Sequence, residues 1–340
     1  MSTLVLIDLK KAFGDDLDDE QITEISVNKP FEYFVAIKGE KYMVKRDAPE
    51  LSYALLKRLA EGIATHTSQK ISQEHPLLSA QIESPKYEGL FYRIQIIHDP
   101  AVSIGTIALS IRKPSILSLT YDVYKPILNA VVPFEKVSVK DRVLIDLYQK
   151  RDFFEFMRLA VLYGKNIIIS AGAGSGKTTF FNALIHDCIP LKERLLTIED
   201  AKELRPPHLN TLQMYYSRGG QGKSKVDAQS LMEACLRLFP DRILLGEIRG
   251  AEAFTYLNLI SSGHGGSIAT LHANNPLNAI ERLTLMVLMA GTTLTSDQVK
   301  AFVKDSVDII VQLGKTDEGD YGCKEIYFKT YEDFKDASVT

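Results

Sequence analysis

The sequence predicts an α/β chain in which a P-loop domain with a largely parallel sheet follows a smaller α+β domain. Three observations predict it. Residues 165–181, KNIIISAGAGSGKTTFF, run from an apolar, β-branched stretch through a glycine-rich loop into helical spacing, the order of a phosphate-binding P-loop. Strand and helix signals then alternate through 153–340, as in a parallel sheet covered by helices. Residues 1–112 instead combine hairpin signals with one helix-length apolar stripe.

The loop explains itself chemically. Small residues at Gly172, Ala173, Gly174, Ser175 and Gly176 let backbone N–H groups turn inward. The helix start at Lys177, Thr178 and Thr179 adds unpaired donors and partial positive charge. Lys177 would reach the β- and γ-phosphates, and the Thr178 hydroxyl would ligate Mg²⁺. The pattern G-x-x-x-x-G-K-[ST] wants glycine where this chain has Ala171, which fits only if its φ is negative and the wall has room for a methyl group.

Taking the chain in order, residues 17–24 suggest a short helix leading into an apolar stretch at 25–28. Strands over 31–37 and 41–45 are joined at Lys38-Gly39-Glu40, a hairpin signal. A helix over 51–64 puts Leu55, Leu56, Leu59 and Ile63 on one face. Strands over 90–97 and 102–112 are split by His98-Asp99-Pro100. They carry Arg93 and Arg112, which on pattern alone read as solvated face residues. Residues 113–152, with Pro114, Pro126 and Pro133, read as a linker with helix near its end at 139–149. Beyond it come strands at 194–198, 242–245, 267–271, 307–311 and 325–328, with helices at 228–238, 251–260 and 276–289.

The bulk properties bound the function. A net charge of −3 in 340 residues offers no global basic field for nucleic acid, so no stable direct binding to it is expected. The three cysteines, Cys188, Cys235 and Cys323, have no metal-type spacing, and a reducing cytosol is the default. No stretch has the length of a membrane span, so membrane contact would be peripheral or through partners.

Ligands of parallel α/β sheets bind beyond the carboxyl ends of the strands, which makes three strand ends candidates for the same site. Glu199, followed by Asp200, could position a water for attack on the γ-phosphate; its bland alternative is a helix N-terminal acid. Glu247 follows the strand ILL-Gly246 and is an expected Mg²⁺ partner; otherwise it pairs with Arg249 or Arg242. His272 ends SIATL and could bind the γ-phosphate; otherwise it is structural, as is His264 in the preceding turn.

With these residues in view, the chain resembles the hexameric secretion ATPases, in the branch serving type IV secretion and conjugation. ITEISVNKP and TIALSIRKPS look like that branch's opening and domain-junction motifs. GSGKTT, LLTIEDAKEL, PDRILLGEIRGAEAF and SSGHGGSIATLHANNP look like Walker A, acidic, Walker B and histidine boxes. The related type II secretion and pilus ATPases share these boxes. Many type II members carry a four-cysteine zinc insertion, which three cysteines cannot supply.

The resemblance implies a RecA-like ATPase domain at 153–340, an N-terminal domain at 1–112, and a ring of six holding ATP and Mg²⁺ between the two domains. It assigns Glu199 to the attacking water, Thr178 and Glu247 to the metal, and His272 to sensing γ-phosphate loss; the two glutamate roles could be exchanged. It also assigns Arg93 and Arg112 to clasping the γ-phosphate from the N-terminal domain, which hydrolysis would release. Inner-membrane secretion components, met at the cytoplasmic face, are the implied partners. The readings set against this one are a small-molecule kinase, an assembly module with negligible turnover, and a nucleic-acid motor using scattered basic residues such as Arg218, Lys223 and Lys225.

Overall fold

A computed structural model describes residues 3–84, 86–114, 120–131, 137–217, 222–315 and 319–339. Ser115, Pro133 and Arg218, singled out in the sequence, lie outside the described residues.

The N-terminal lobe begins with helix α1 (Thr3–Phe13), and a three-ten turn, Gly14–Leu17, closes it. Strands β1 (Ile22–Val27), β2 (Glu32–Ile37) and β3 (Val44–Asp47) follow, then α2 (Tyr53–His66), β4 (Leu77–Glu83), β5 (Phe91–His98) and β6 (Ile107–Arg112). The six strands form one sheet in the order β3-β2-β1-β6-β5-β4, and every pairing in it is antiparallel. Helices α1 and α2 pack together through Leu9, Phe13, Leu55, Leu59 and Ile63, in the same buried cluster as Ile25, Ile94 and Ile111 of the sheet. Asp8 of α1 is buried, and the Arg58 guanidinium of α2, at 2.5 and 2.6 Å, holds its carboxyl below the usual range.

The helix expected at 17–24 is not formed. Ile22, Thr23, Ile25 and Val27 are β-branched, and residues 24–27 pair with Arg112 to Leu109 of β6, so tertiary pairing decides in favour of strand. Within that pairing Glu24 is 2% exposed and accepts from the Ser110 hydroxyl. Burial pushes its carboxyl up to about 7, against the pull of Ser110, Arg112 and Arg194. The charged form is therefore the costly one. That cost is absent below about pH 4.5 and complete above about pH 7, where it amounts to about 3 kcal/mol. Glu24→Gln is expected to stabilise the chain at pH 8 by up to about that amount and to leave it nearly unchanged at pH 4.5. Urea unfolding at the two pH values checks this, and an equal shift at both would refute it.

Between the lobes run a three-ten turn, Tyr121–Tyr124, and the short helix α3 (Lys125–Asn129). Helix α4 (Val139–Lys150) then packs on α5 (Phe153–Leu162), and Leu144 and Ile145 enter the C-terminal core. The expected helix at the end of the linker is thus part of the second lobe's packing.

That lobe continues with β7 (Ile167–Ala171), α6 (Lys177–Asp187), β8 (Leu195–Glu199), β9 (Thr211–Tyr215), α7 (Ala228–Cys235), β10 (Arg242–Leu245), α8 (Glu252–Ser261) and β11 (Ile268–Leu271). It ends with α9 (Pro276–Met289), α10 (Ser296–Ser306), β12 (Ile309–Lys315), β13 (Tyr321–Phe328) and α11 (Lys329–Val339). Its seven strands run β13-β12-β7-β11-β10-β8-β9, all parallel except β13. Each sheet face is apolar, so the central strands read as continuous hydrophobic runs.

The two lobes share one core. Ile97, Ala101, Val102 and Ala108 of the first lobe sit in the same buried cluster as Ile198, Leu212 and Met214 of the second. The Tyr215 amide donates to the Ala101 carbonyl at 2.8 Å. Arg194, 1% exposed, bridges the seam. Its Nη1 donates to Asn28 at 2.8 Å and to Asn210 at 2.5 Å, and its Nε donates to the Leu238 carbonyl at 2.9 Å.

Candidate active site

The site lies where β7 gives way to α6. Ala171 is the last residue of β7, pairs with Leu313 and is fully buried in the C-terminal core. Its φ is not positive, so the alanine in place of glycine costs nothing at the first turn of the loop. The later turns do need glycine: Gly174 and Gly176 sit at φ +68° and +78°, and Gly176 caps α6 in the left-handed region.

Strands β7, β8, β10 and β11 all point their carboxyl ends at a cavity of about 850 Å³. It is lined by the phosphate loop together with Glu199, Asp200, Glu203, Glu247, Arg249 and His272. Residues 173–179 line it as well, so the loop and all three predicted strand ends converge. His264 does not line it.

Lys177 is half-buried and folded back. Its Nζ lies 3.1 Å from His272 Nδ1 and 3.5 Å from the carbonyls of Ala171 and Gly172. Burial lowers its pKa, and the Glu247 charge opposes that. Glu247 faces the same space, with Oε1 3.5 Å from His272 Nε2. Arg249 binds Glu247 Oε2 and Asp200 Oδ2, each at 2.6 Å. Burial pushes the Glu247 carboxyl up, but Arg249, His272 and Lys177 outweigh it and hold it below the usual carboxylate range.

Glu199 has a different environment. It is 2% exposed, and its Oε2 accepts from the amides of Glu203 and Leu204, both at 2.8 Å. Its Oε1 accepts from the Thr197 hydroxyl at 3.1 Å. Burial raises its pKa, and these bonds resist the rise. Its lone pairs are engaged in holding the turn after β8.

Of two further residues of this site, Glu203 had no role in the sequence reading, and Arg249 stood there only as the alternative ion-pair partner of Glu247, a pairing the structure forms. The Thr178 hydroxyl donates to Glu203 Oε2 at 2.9 Å, and Arg249 joins Glu247 to Asp200. Both stand inside recognised boxes, four residues after Glu199 and two after Glu247, so box membership was the available signal. Thr178, Glu203 and Glu247 offer hard oxygen donors. Among the described residues no three His, Cys, Asp or Glu groups form a metal cage. The hard oxygens of Thr178, Glu203 and Glu247 are of the kind Mg²⁺ takes, one or two carboxylates plus substrate phosphates.

Arg93 and Arg112 are elsewhere. They stand opposite each other on β5 and β6, both exposed, and line a separate cleft with Gln81, Phe91 and Lys113. Neither lines the phosphate-loop cavity of its own chain. Neither makes a hydrogen bond or ion pair among the described residues, and two like charges directly opposite are destabilising.

Comparison with known proteins gives a consistent picture. The model of the family described as Type II/IV secretion system protein matches residues 146–333. The type IV secretion system protein VirB11 of Bartonella henselae is 37% identical over 339 residues, covering 95% of this chain and 92% of that protein. The protein PtlH of Bordetella pertussis, also from a type IV secretion system, is 36% identical over 301 residues, covering 87% and 86%. The crystal structure of the VirB11 ATPase from the Brucella suis type IV secretion system, in complex with sulphate, superposes with a TM-score of 0.88 at 34% identity, covering 97% of this chain and 96% of that one.

Proposed function

The chain belongs to the type II/IV secretion system protein family, as an ATPase of its type IV secretion branch, and from that premise we propose how its residues divide the work of ATP hydrolysis. The observation that carries the proposal is the convergence of Lys177, Glu247 and His272 on one phosphate-sized space at the start of α6. The loop amides and Lys177 hold the β- and γ-phosphates. Lys177 exchanges its contacts with His272 and the loop carbonyls for phosphate oxygens when ATP enters. Thr178 and Glu203 would hold Mg²⁺, which would supply charge neutralisation for the phosphates. Glu247, ionised and fixed by Arg249, orients the attacking water. His272 touches both Lys177 and Glu247, which suits it to register loss of the γ-phosphate. Glu199 supports the turn that carries Glu203, so Glu247 takes the water as in the exchange the sequence left open, while the metal role falls to Glu203 and not to Glu199.

The arginines point to an assembly. Arg93 and Arg112 form an exposed pair of like charges outside their own phosphate-loop cavity, and the lobes of one chain are locked by a shared core. A ring, six copies by the resemblance, lets the pair of one copy close on the γ-phosphate of the next. Nucleotide-driven motion then occurs between copies, with each chain's two lobes moving together. Among the described residues no helix is long and apolar enough to cross a membrane. Contact with inner-membrane components from the cytoplasmic face is therefore proposed to be peripheral.

The test is ATPase rate against protein concentration, with Lys177→Ala as the inactive control. Specific activity is expected to fall on dilution as the shared sites come apart. Turnover proportional to chain number down to monomeric concentrations would exclude the shared site.

A further inference from the structure

Residues 120–131, between the lobes, are exposed throughout, and their exposed side chains include large apolar ones. Tyr121 is 78%, Ile127 65% and Val131 65% exposed. Helix α3 within it has five residues. Isolated helices shorter than ~12–15 residues are marginal in water and draw their stability from packing. A largely apolar segment whose side chains are exposed among the described residues marks a contact surface. The same chain carries an apolar groove of about 850 Å³ bounded by α4, α5, α6 and β13, with Tyr148, Phe153, Phe154, Phe180 and Tyr331 among its walls. No residue of 120–131 lines it. Phe180 and Ala183 of α6 line both this groove and the phosphate-loop cavity.

We infer that residues 120–131 of one copy dock in this groove on a second copy. The inference rests on the ring reading above and specifies one of its contacts. The charges correspond: Asp122 and Lys125 of the segment have no partners among the described residues. The groove rim carries Arg151 and Lys324, and also Asp187 and Glu325, so each side of the contact offers both signs. A segment of 12 residues is about half of the 20–30 residues that one side of a standard interface uses. The contact therefore supplements a ring interface and does not make a dimer by itself. Because Phe180 and Ala183 of α6 wall both the groove and the phosphate-loop cavity, a docked neighbour touches the nucleotide helix beside the phosphate site.

The test uses full-length chains with Cys188 and Cys323 changed to serine. One tagged chain carries Ile127→Cys and a differently tagged chain carries Phe154→Cys. After mixing with a non-hydrolysable ATP analogue and mild oxidation, the mixed dimer is the expected product. Sedimentation of the same samples reports ring formation independently. Rings without the mixed dimer would overturn the docking and leave the ring reading intact, whereas absence of rings would remove both. A cross-link formed only within a chain bearing both cysteines would also overturn the docking, since the segment would then occupy its own groove. In the native background Ile127→Asp, at an exposed position, is expected to raise the concentration for half-assembly about tenfold or more; unchanged assembly would equally refute the contact.

Discussion

Glu247→Gln is expected to lower ATP turnover by about 10²–10⁴-fold while leaving ATP affinity within a few-fold of the parent. The carboxylate is ionised, half-buried and directed at the space occupied by Lys177 and His272. Glutamine keeps its size but cannot accept a proton or hold water with full charge. Glu199→Gln distinguishes the two carboxylates. There the amide would present donors to the Glu203 and Leu204 amides or lose one acceptor, so the turn after β8 loosens. That variant should lose stability by about 1–3 kcal/mol, and its activity should fall through weaker Mg²⁺ binding, recoverable with added Mg²⁺. Single-turnover rates and nucleotide affinities for both variants, across an Mg²⁺ series, decide between them. A Glu247→Gln enzyme retaining most of its turnover, beside a Glu199→Gln enzyme unrecoverable at high Mg²⁺, would restore the opposite assignment.

The phosphate loop and the strand ends were legible because their chemistry is local. Three isoleucines, two obligatory left-handed glycines and a Lys-Thr helix start all lie within 17 residues. The parallel order of the second lobe followed from alternation alone. What escaped was set by distant contacts. β4 alternates buried and exposed residues through Leu78, Ala80 and Ile82, but its Ser and Gln positions hide the pattern until β5 pairs with it. β9 and α10 are polar on one side and were passed over for the same reason. α1 was not read from the sequence, although its apolar residues cover α2. The functional residue missed at Thr178 is Glu203, and its role appears only when the turn after β8 brings it across α6. The arginines show the opposite limit. The motif around Arg112 was recognisable, yet no local signal states that Arg112 and Arg93 lie outside their own phosphate-loop cavity.

Arg194→Ala should destabilise the chain by about 3–5 kcal/mol and divide one unfolding transition into two. The guanidinium is wholly enclosed, and burial lowers its pKa to about 10, so it is still charged at neutral pH. It reaches Asn28 on the first lobe and Asn210 and the Leu238 carbonyl on the second. Asn28 in turn donates to Asn210 at 3.0 Å. Removing it leaves three buried acceptors short of a donor, and Glu24 loses one of the charges that favour its ionised form. The penalty falls on the seam, so the first lobe should melt earlier than the second. Calorimetry of the parent should show a single cooperative transition, and the variant a leading shoulder from the N-terminal lobe. Where Arg194→Ala proves insoluble, Asn28→Ala removes two of these bonds, to Arg194 and to Asn210, but strands no buried charge and should give the same splitting with a smaller loss, about 1–2 kcal/mol. Coincident melting of both lobes in either variant would mean that the apolar contacts of Ile97, Ala101 and Val102 suffice to hold them. The lobes would then still move as one body, held by packing and not by the buried cation. Two independent transitions already present in the parent would be the more damaging result, because a loose seam would return nucleotide-driven motion to the interior of each chain.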